Sequence, residues 1–333
     1  TAARTRGAAA LPPIRIGQIG VGHAHATKLA VYRASPDYEV VGIVEPNAER
    51  RARAEQQPAF HGLPWMTQAE LLETPGIDAV LVETEVRDSL VAAEAVIAAG
   101  KHLHLDKPAG ESLPLFERIL TAADRQGLMV QLGYMYRYSP AVIMLREFLH
   151  QGWLGEVFEV HAVMSKVVPA ADRHGLAAYP GGIMFELGCH VLDLVIGILG
   201  EPDQVSGVTR QVLTADTLRD NMLAVLEYPK AIATVKSSAV EVEGFARRQL
   251  TVCGTEGTFH IQPLDSPSAR IALAQPREGF KAGLQEVRYP KFPRYTADAA
   301  DMARVIRGEK QDDFPTRHEL AVQRTLLAAC GSP

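Results

Sequence analysis

The chain has 333 residues, 47% of them apolar and 22% charged, with a formal net charge of -5 at pH 7. Its length suits two domains with ordinary cores, and its composition is that of a globular chain. The acidic balance excludes the basic field that nucleic acid requires, and no apolar run approaches bilayer length.

Residues 1–13 are Ala, Arg and Pro without a clear period and are expected to form a loose arm. The chain begins at Thr1; a cytoplasmic protein is expected, or an exported one if a cleaved signal preceded the arm. Cys189, Cys253 and Cys330 are odd in number and far apart, so neither a disulfide framework nor a zinc knuckle is implied.

The apolar run 14–19 leads into Gly20-Val21-Gly22 and then an Ala-rich helical segment. Strand, tight turn and helix in that order resemble a dinucleotide fingerprint, although His25 stands where its third small residue belongs. Gly20 can take a turn conformation closed to a Cβ, and Gly22 lets a pyrophosphate approach the helix end. A second buried strand, 40–44, ends at Glu45, whose carboxylate would accept the ribose hydroxyls and repel a 2′-phosphate, favouring NAD(H).

Residues 48–57 read as a polar helix and 77–82 as a strand. Asp88 is expected to cap a helix over 89–99 that stops at Gly100. Strand 101–105, helix 112–126 and strand 128–132 complete a mostly parallel sheet covered on both faces. After Pro140 come a helix over 141–151, a strand over 157–164 and a single helix over 181–199. Strand-like runs then follow at 205–213, 222–228, 231–240, 248–253 and 258–261, and their turns predict an antiparallel sheet. Residues 262–293 read as irregular, and helices 296–306 and 317–329 close the chain without revealing which domain they cover. The expected fold is an α/β Rossmann domain over 14–133 and an α+β substrate and oligomerisation domain over 134–331, with a large, mainly antiparallel open sheet. A ligand would sit in the cleft between them, beyond the strand ends.

Two stretches carry chemistry. Lys107 follows a short parallel strand, where an ammonium can stabilise a developing alkoxide. Glu186, His190 and Asp193 stand at i, i+4 and i+7 of an apolar helix and share a face. Such a stripe must meet a cleft or pair internally. His190 suits proton abstraction near neutral pH, with Asp193 fixing its tautomer or merely holding the helix. No closed zinc spacing is present, so no metal is expected.

Taken together, Gly20-x-Gly22, Gly100-Lys101-His102, Asp106-Lys107-Pro108, Tyr136-Arg137-Tyr138-x-Pro140, Gly181-Gly182-x-x-x-Glu186-x-x-x-His190-x-x-Asp193 and Gly254-Thr255-Glu256-Gly257 resemble the Gfo/Idh/MocA family over nearly the whole chain. The resemblance implies a bound nicotinamide cofactor and hydride transfer at a hydroxyl of a small polyhydroxylated substrate such as a sugar or cyclitol. It also implies self-association, as a dimer or tetramer, through the second-domain sheet. Cofactor contacts would come from Gly20, Gly22, His25 and Glu45, from Thr84 and Glu85, and from Asp106, Lys107 and Pro108. Lys107, His190 and Glu186 would be catalytic, and Tyr136 and Arg137 would join Glu186 and His190 in holding substrate. The family's Thr-Pro-Asn-x-x-His loop here reads Thr84-Glu85-Val86-Arg87-Asp88-Ser89, and Asp106 and Glu186 depart from the usual Glu and Asp. Two other outcomes follow from these departures: redox-neutral elimination or hydrolysis through a transient keto-sugar, with Glu85 and Glu186 as acid and base, or a non-catalytic nucleotide-binding sensor or scaffold.

Overall fold

The structure, a computed structural model, describes residues 11–265, 268–291 and 293–331. Most of the expected arm, residues 1–10, therefore lies outside the described residues. Six parallel strands form the first sheet: β1 (Ile14–Ile19), β2 (Tyr38–Val44), β3 (Trp65–Met66), β4 (Ala79–Val82), β5 (His102–Leu105) and β6 (Val130–Leu132). Their order is β3-β2-β1-β4-β5-β6, so the chain runs outward from β1 to β3 and then crosses back to β4. That reversal opens a crevice at the carboxyl ends of β1 and β4, the place where doubly wound sheets take ligands.

The second sheet comprises β7 (Val157–Ser165), β8 (Gln204–Arg210), β9 (Asn221–Glu227), β10 (Ile232–Ser238), β11 (Gln249–Gly254), β12 (Gly257–Ile261), β13 (Ser268–Leu273) and β14 (Gly283–Arg288). Its order is β14-β13-β12-β11-β7-β10-β9-β8, antiparallel throughout except for the parallel pair β7 and β10. β13 and β14 lie in the stretch expected to be irregular. The buried, regularly alternating residues Ala269, Ile271 and Leu273 of β13 were obscured by Pro and Gly on either side.

Other boundaries also differ from expectation. The helix after β4 is Val86–Ala98, with Glu85 rather than Asp88 at its N-cap. Asp88 instead sits in the first turn, where its charge complements the helix dipole. The first strand after the long helix stops at Arg210, because the buried Asp220 carboxylate accepts the Val212 and Leu213 amides and turns the chain away. The expected single helix over 181–199 is a π-helical turn, Met184–Gly188, followed by an α-helix, Cys189–Leu199.

The closing helices cover different domains. Ala299, Met302 and Ala303 of Thr296–Ile306 pack with Ile14, Ile16 and Tyr38 of the first sheet, and the Tyr38 hydroxyl donates to the Ala299 carbonyl at 2.6 Å. Val322 and Leu326 of Thr316–Ala329 enter a larger cluster that runs without interruption from Val80 and Phe116 to Val160 and Leu250. Shared apolar burial therefore holds the two domains against each other.

Candidate active site

Strand ends position most of the expected residues: Gly20 after β1, Glu45 after β2, Thr84 and Glu85 after β4, Asp106 and Lys107 after β5. Gly20 has φ +88°, and a Cβ there would lie 2.6 Å from the Thr84 Cα, so the turn admits only glycine. Glu45 is buried; its carboxylate accepts the Val21 amide at 3.2 Å and the Asn47 amide at 2.9 Å, tying the glycine turn to the end of β2. Beside it opens a cleft of about 670 Å³ lined by Gly20, Glu45, Arg50, Trp65, Thr84 and Asp88, among others. Arg50 reaches across the turn toward Glu45 (3.6 Å) and Glu85 (3.4 Å), and Arg87 also approaches Glu85 (3.6 Å).

Beneath the turn lies a charged cluster that sequence reasoning missed. The buried Lys28 ammonium contacts Asp106 at 2.6 Å, Glu83 at 3.2 Å and His104 at 3.0 Å. His23 and His25 each place Nδ1 3.2 Å from the Asp106 carboxylate, and the Lys107 amide donates to Asp106 at 2.7 Å. Asp106 is thus fully engaged below the loop, and Pro108 beside it is buried. Burial opposes the Asp106 charge, but His23, Lys28 and His25 outweigh it and hold the carboxyl well below its usual range. Burial and the neighbouring Asp106 charge instead push Glu83 up to about 8, leaving it protonated at neutral pH. His23, His25 and Asp106, and likewise Glu83, His104 and Asp106, could group around a cation, but the Lys28 ammonium already supplies that positive charge. The available signal was polar residues in Gly22-His23-Ala24-His25-Ala26-Thr27-Lys28, on a helix face that ought to pack apolar against the sheet.

One residue beyond Asp106, at the same end of β5, the buried Lys107 ammonium donates to the Glu186 carbonyl at 2.8 Å and its carboxylate at 3.2 Å. Burial works against its charge, yet Glu186, Cys189 and Asp106 raise its pKa to about 12, so it remains an ammonium. His190 is buried between the edges of Tyr134 and Tyr136, with ring centroids 6.1 and 5.4 Å away. Its Nδ1 is buried and has no hydrogen-bond partner among the described residues. Burial, reinforced by the charges of Lys107 and His25, keeps its pKa well below the ordinary value and its ring neutral.

Asp193 does not orient His190. It accepts Arg137 at 2.6 Å and His318 at 2.9 Å, while Glu319 takes the other side of the guanidinium at 2.7 Å. Arg137 is only 1% exposed, so the expected substrate contact is corrected: this residue ties together the Met135–Tyr138 turn and both long helices. The Tyr136 hydroxyl is likewise turned toward the second domain, donating to Asp265 at 2.6 Å and lying 3.3 Å from Arg248.

Residues 14–134 match the model of an oxidoreductase family with an NAD-binding Rossmann fold, and residues 142–260 match the GFO/IDH/MocA C-terminal domain. The chain belongs to the Gfo/Idh/MocA family. It is 24% identical over 272 residues to the trans-1,2-dihydrobenzene-1,2-diol dehydrogenase of Bos taurus, covering 80% of this chain and 79% of that one. An oxidoreductase from Agrobacterium radiobacter, crystallised in complex with NAD+, L-tartaric acid and magnesium, shares its fold with TM-score 0.82, 16% identity and 96% coverage of each chain. UDP-N-acetylglucosamine 3-dehydrogenase from Acidithiobacillus ferrooxidans matches with TM-score 0.78 and 21% identity over 97% of this chain and 98% of that one. As a Gfo/Idh/MocA member the protein is an NAD-dependent dehydrogenase or reductase. The glycine-only turn, the Glu45 staple and the adjoining cleft fit the nucleotide.

Proposed function

We propose that this protein oxidises a secondary hydroxyl of a small polyhydroxylated compound, or reduces the matching ketone, at a site formed by Lys107, Glu186 and His190. The observation that carries the reading is a charged lysine, held by Glu186, beside a buried neutral histidine whose Nδ1 has no partner. NAD held by the Gly20–Gly22 turn, Glu45 and Thr84 supplies the hydride acceptor or donor. Lys107 stabilises negative charge growing on the substrate oxygen. His190, neutral at working pH, accepts the hydroxyl proton on its imidazole. Glu186, half-buried and fixed by Lys107, is placed to accept a neighbouring hydroxyl. The similarity to the trans-1,2-dihydrobenzene-1,2-diol dehydrogenase and to UDP-N-acetylglucosamine 3-dehydrogenase supports this substrate class.

Self-association through the second sheet is part of the same proposal, supported by exposed Val208 (46%) and Ile232 (58%) on that sheet. Among the described residues no helix is long and apolar enough to cross a membrane. The test is NAD titration followed by a panel of sugars, cyclitols and hydroxy acids with NADH absorbance as the readout. Stoichiometric NADH accumulation supports net oxidation. Bond cleavage without NADH would transfer the assignment to redox-neutral chemistry, and absence of nucleotide binding by folded protein would remove it.

A further inference from the structure

Beside His190, the second domain contributes a wall whose charges the proposed hydride chemistry does not use. The Tyr136 ring that borders His190 carries its hydroxyl to Asp265 and Arg248. Arg248, buried at the start of β11, donates through Nη1 to Asp265 at 3.0 Å and through Nε to the Ser165 carbonyl at 3.2 Å. Its guanidinium carbon lies 3.7 Å from the centre of the Phe245 ring. Its remaining nitrogen, Nη2, has no acceptor among the described residues. The next residue after Ser165 is Lys166, half-buried at the end of β7, with its amide held by the Ser238 carbonyl at 3.0 Å.

No carboxylate of the described residues lies within 4.0 Å of the Lys166 ammonium. Burial lowers its pKa, and Lys107 and Arg248 lower it further, whereas Glu186 and Asp172 oppose them from a distance. Asp265 is already shared by Arg248 and by Arg294, the latter at 2.6 Å. Lys107 and Glu186 neutralise each other. Lys166, Arg248 and Arg294 therefore share Asp265 and the more distant Asp172, an excess of positive charge around the half-buried Lys166 and the buried Arg248. Holding such charge together without a counter-ion is costly, and an arriving anion removes the cost.

We propose that the substrate carries an anionic group, a carboxylate or a phosphate, paired with Lys166 and the free edge of Arg248. The oxidised hydroxyl then lies on the same molecule, across the cavity at Lys107 and His190. This rests on the function proposed above and narrows its substrate from polyhydroxy compounds in general to sugar acids or sugar phosphates. A charge-assisted contact to an anion exceeds a neutral one in strength, and a guanidinium suits the planar carboxylate geometry in particular.

The test uses NAD-loaded full-length protein with matched aldonates, uronates, sugar phosphates, neutral sugars and cyclitols, measuring kcat/KM and binding by titration calorimetry. Anionic compounds are expected to exceed their neutral counterparts by about 10²-fold or more, with the preferred anion showing whether a carboxylate or a phosphate is read. In Lys166→Met the anions lose roughly tenfold or more through KM, while kcat and the neutral compounds hardly change; Lys166→Arg restores the preference. Neutral compounds turned over as well as anions, or equal losses for both in Lys166→Met, would overturn the inference while leaving the dehydrogenase reading intact. If nothing turns over, titration of the same anions still decides: binding weakened by Lys166→Met supports the anion site, and no anion binding removes it. Failure to bind NAD would instead remove the functional reading on which it rests.

Discussion

Glu186 and Asp193 leave the same helical segment seven residues apart, yet they enter two ionic clusters of opposite character. Around Arg137 the charges close on one another: Asp193 and Glu319 occupy the guanidinium, His318 bonds Asp193 from behind, and little remains to offer a ligand. Around Lys107 the arrangement is open, with Glu186 half-buried and Nδ1 of His190 unpartnered. The π-helical turn at Met184–Gly188 separates them. It winds with more residues per turn than an α-helix, so Glu186 within it does not face as an unbroken α-helix would aim it relative to His190 and Asp193 beyond. A closed ion cluster holds elements together; an open one is available for chemistry.

The sharpest break of that contrast is expected in the closed cluster. Asp193→Ala leaves the fully buried Arg137 with one carboxylate partner fewer, and removing one partner of such a pair costs about 3–5 kcal/mol. Thermal and denaturant melts should record the loss, whereas an unchanged melt would make the network dispensable. In the open cluster, Lys107→Met should leave the melt nearly unaltered and lower kcat by roughly 10²–10³-fold, the range found when one charge-stabilising donor is removed. A comparable loss of stability with little loss of rate would reverse the assignment of the two clusters.

A third expectation concerns pH. The Glu83 carboxyl is raised from 4.5 to about 8 by burial and the adjacent Asp106 charge, so its proton is bound more tightly in the folded state. Its contribution is complete below 4.5 and declines as pH rises through about 8, by up to about 1.4 kcal/mol per pH unit where only the folded form retains the proton. Glu83→Gln should flatten that limb of a melting-temperature profile; an unchanged slope would place the titration elsewhere. The smallest effect belongs to Glu85, half-buried beside the glycine turn and approached by Arg50 and Arg87. Glu85→Gln removes a negative charge facing the expected pyrophosphate and should tighten NAD a few-fold, by no more than about 1 kcal/mol, with the gain shrinking in salt. Weaker binding in that variant would mean that Glu85 holds the nucleotide rather than repelling it.

The mostly parallel sheet and the cofactor turn were legible because continuous apolar runs and a positive-φ glycine are local properties. Lys107, His190 and Glu186 were legible because ionisable groups interrupting apolar stretches demand partners. Their actual partners were not, since pairing of Arg137 with Glu319 spans 182 residues and depends on a helix whose docking no pattern revealed. The π-turn escaped for a related reason: a single altered turn leaves apolar periodicity nearly unchanged while redirecting one carboxylate. Lys28 was not singled out in the sequence, although its buried contact with Asp106 shapes the floor below the coenzyme turn. Arg248 and Lys166 escaped because they flank strand ends of the second sheet and converge only when β7 and β11 pair.

A crystal structure of the protein with NAD bound would examine the open cluster most directly. The account predicts the nicotinamide ring within contact distance of the Lys107 ammonium, with the His190 ring bordering the same space. A ring seated away from both groups, with Lys107 still closed on Glu186 and no space before His190, would contradict it.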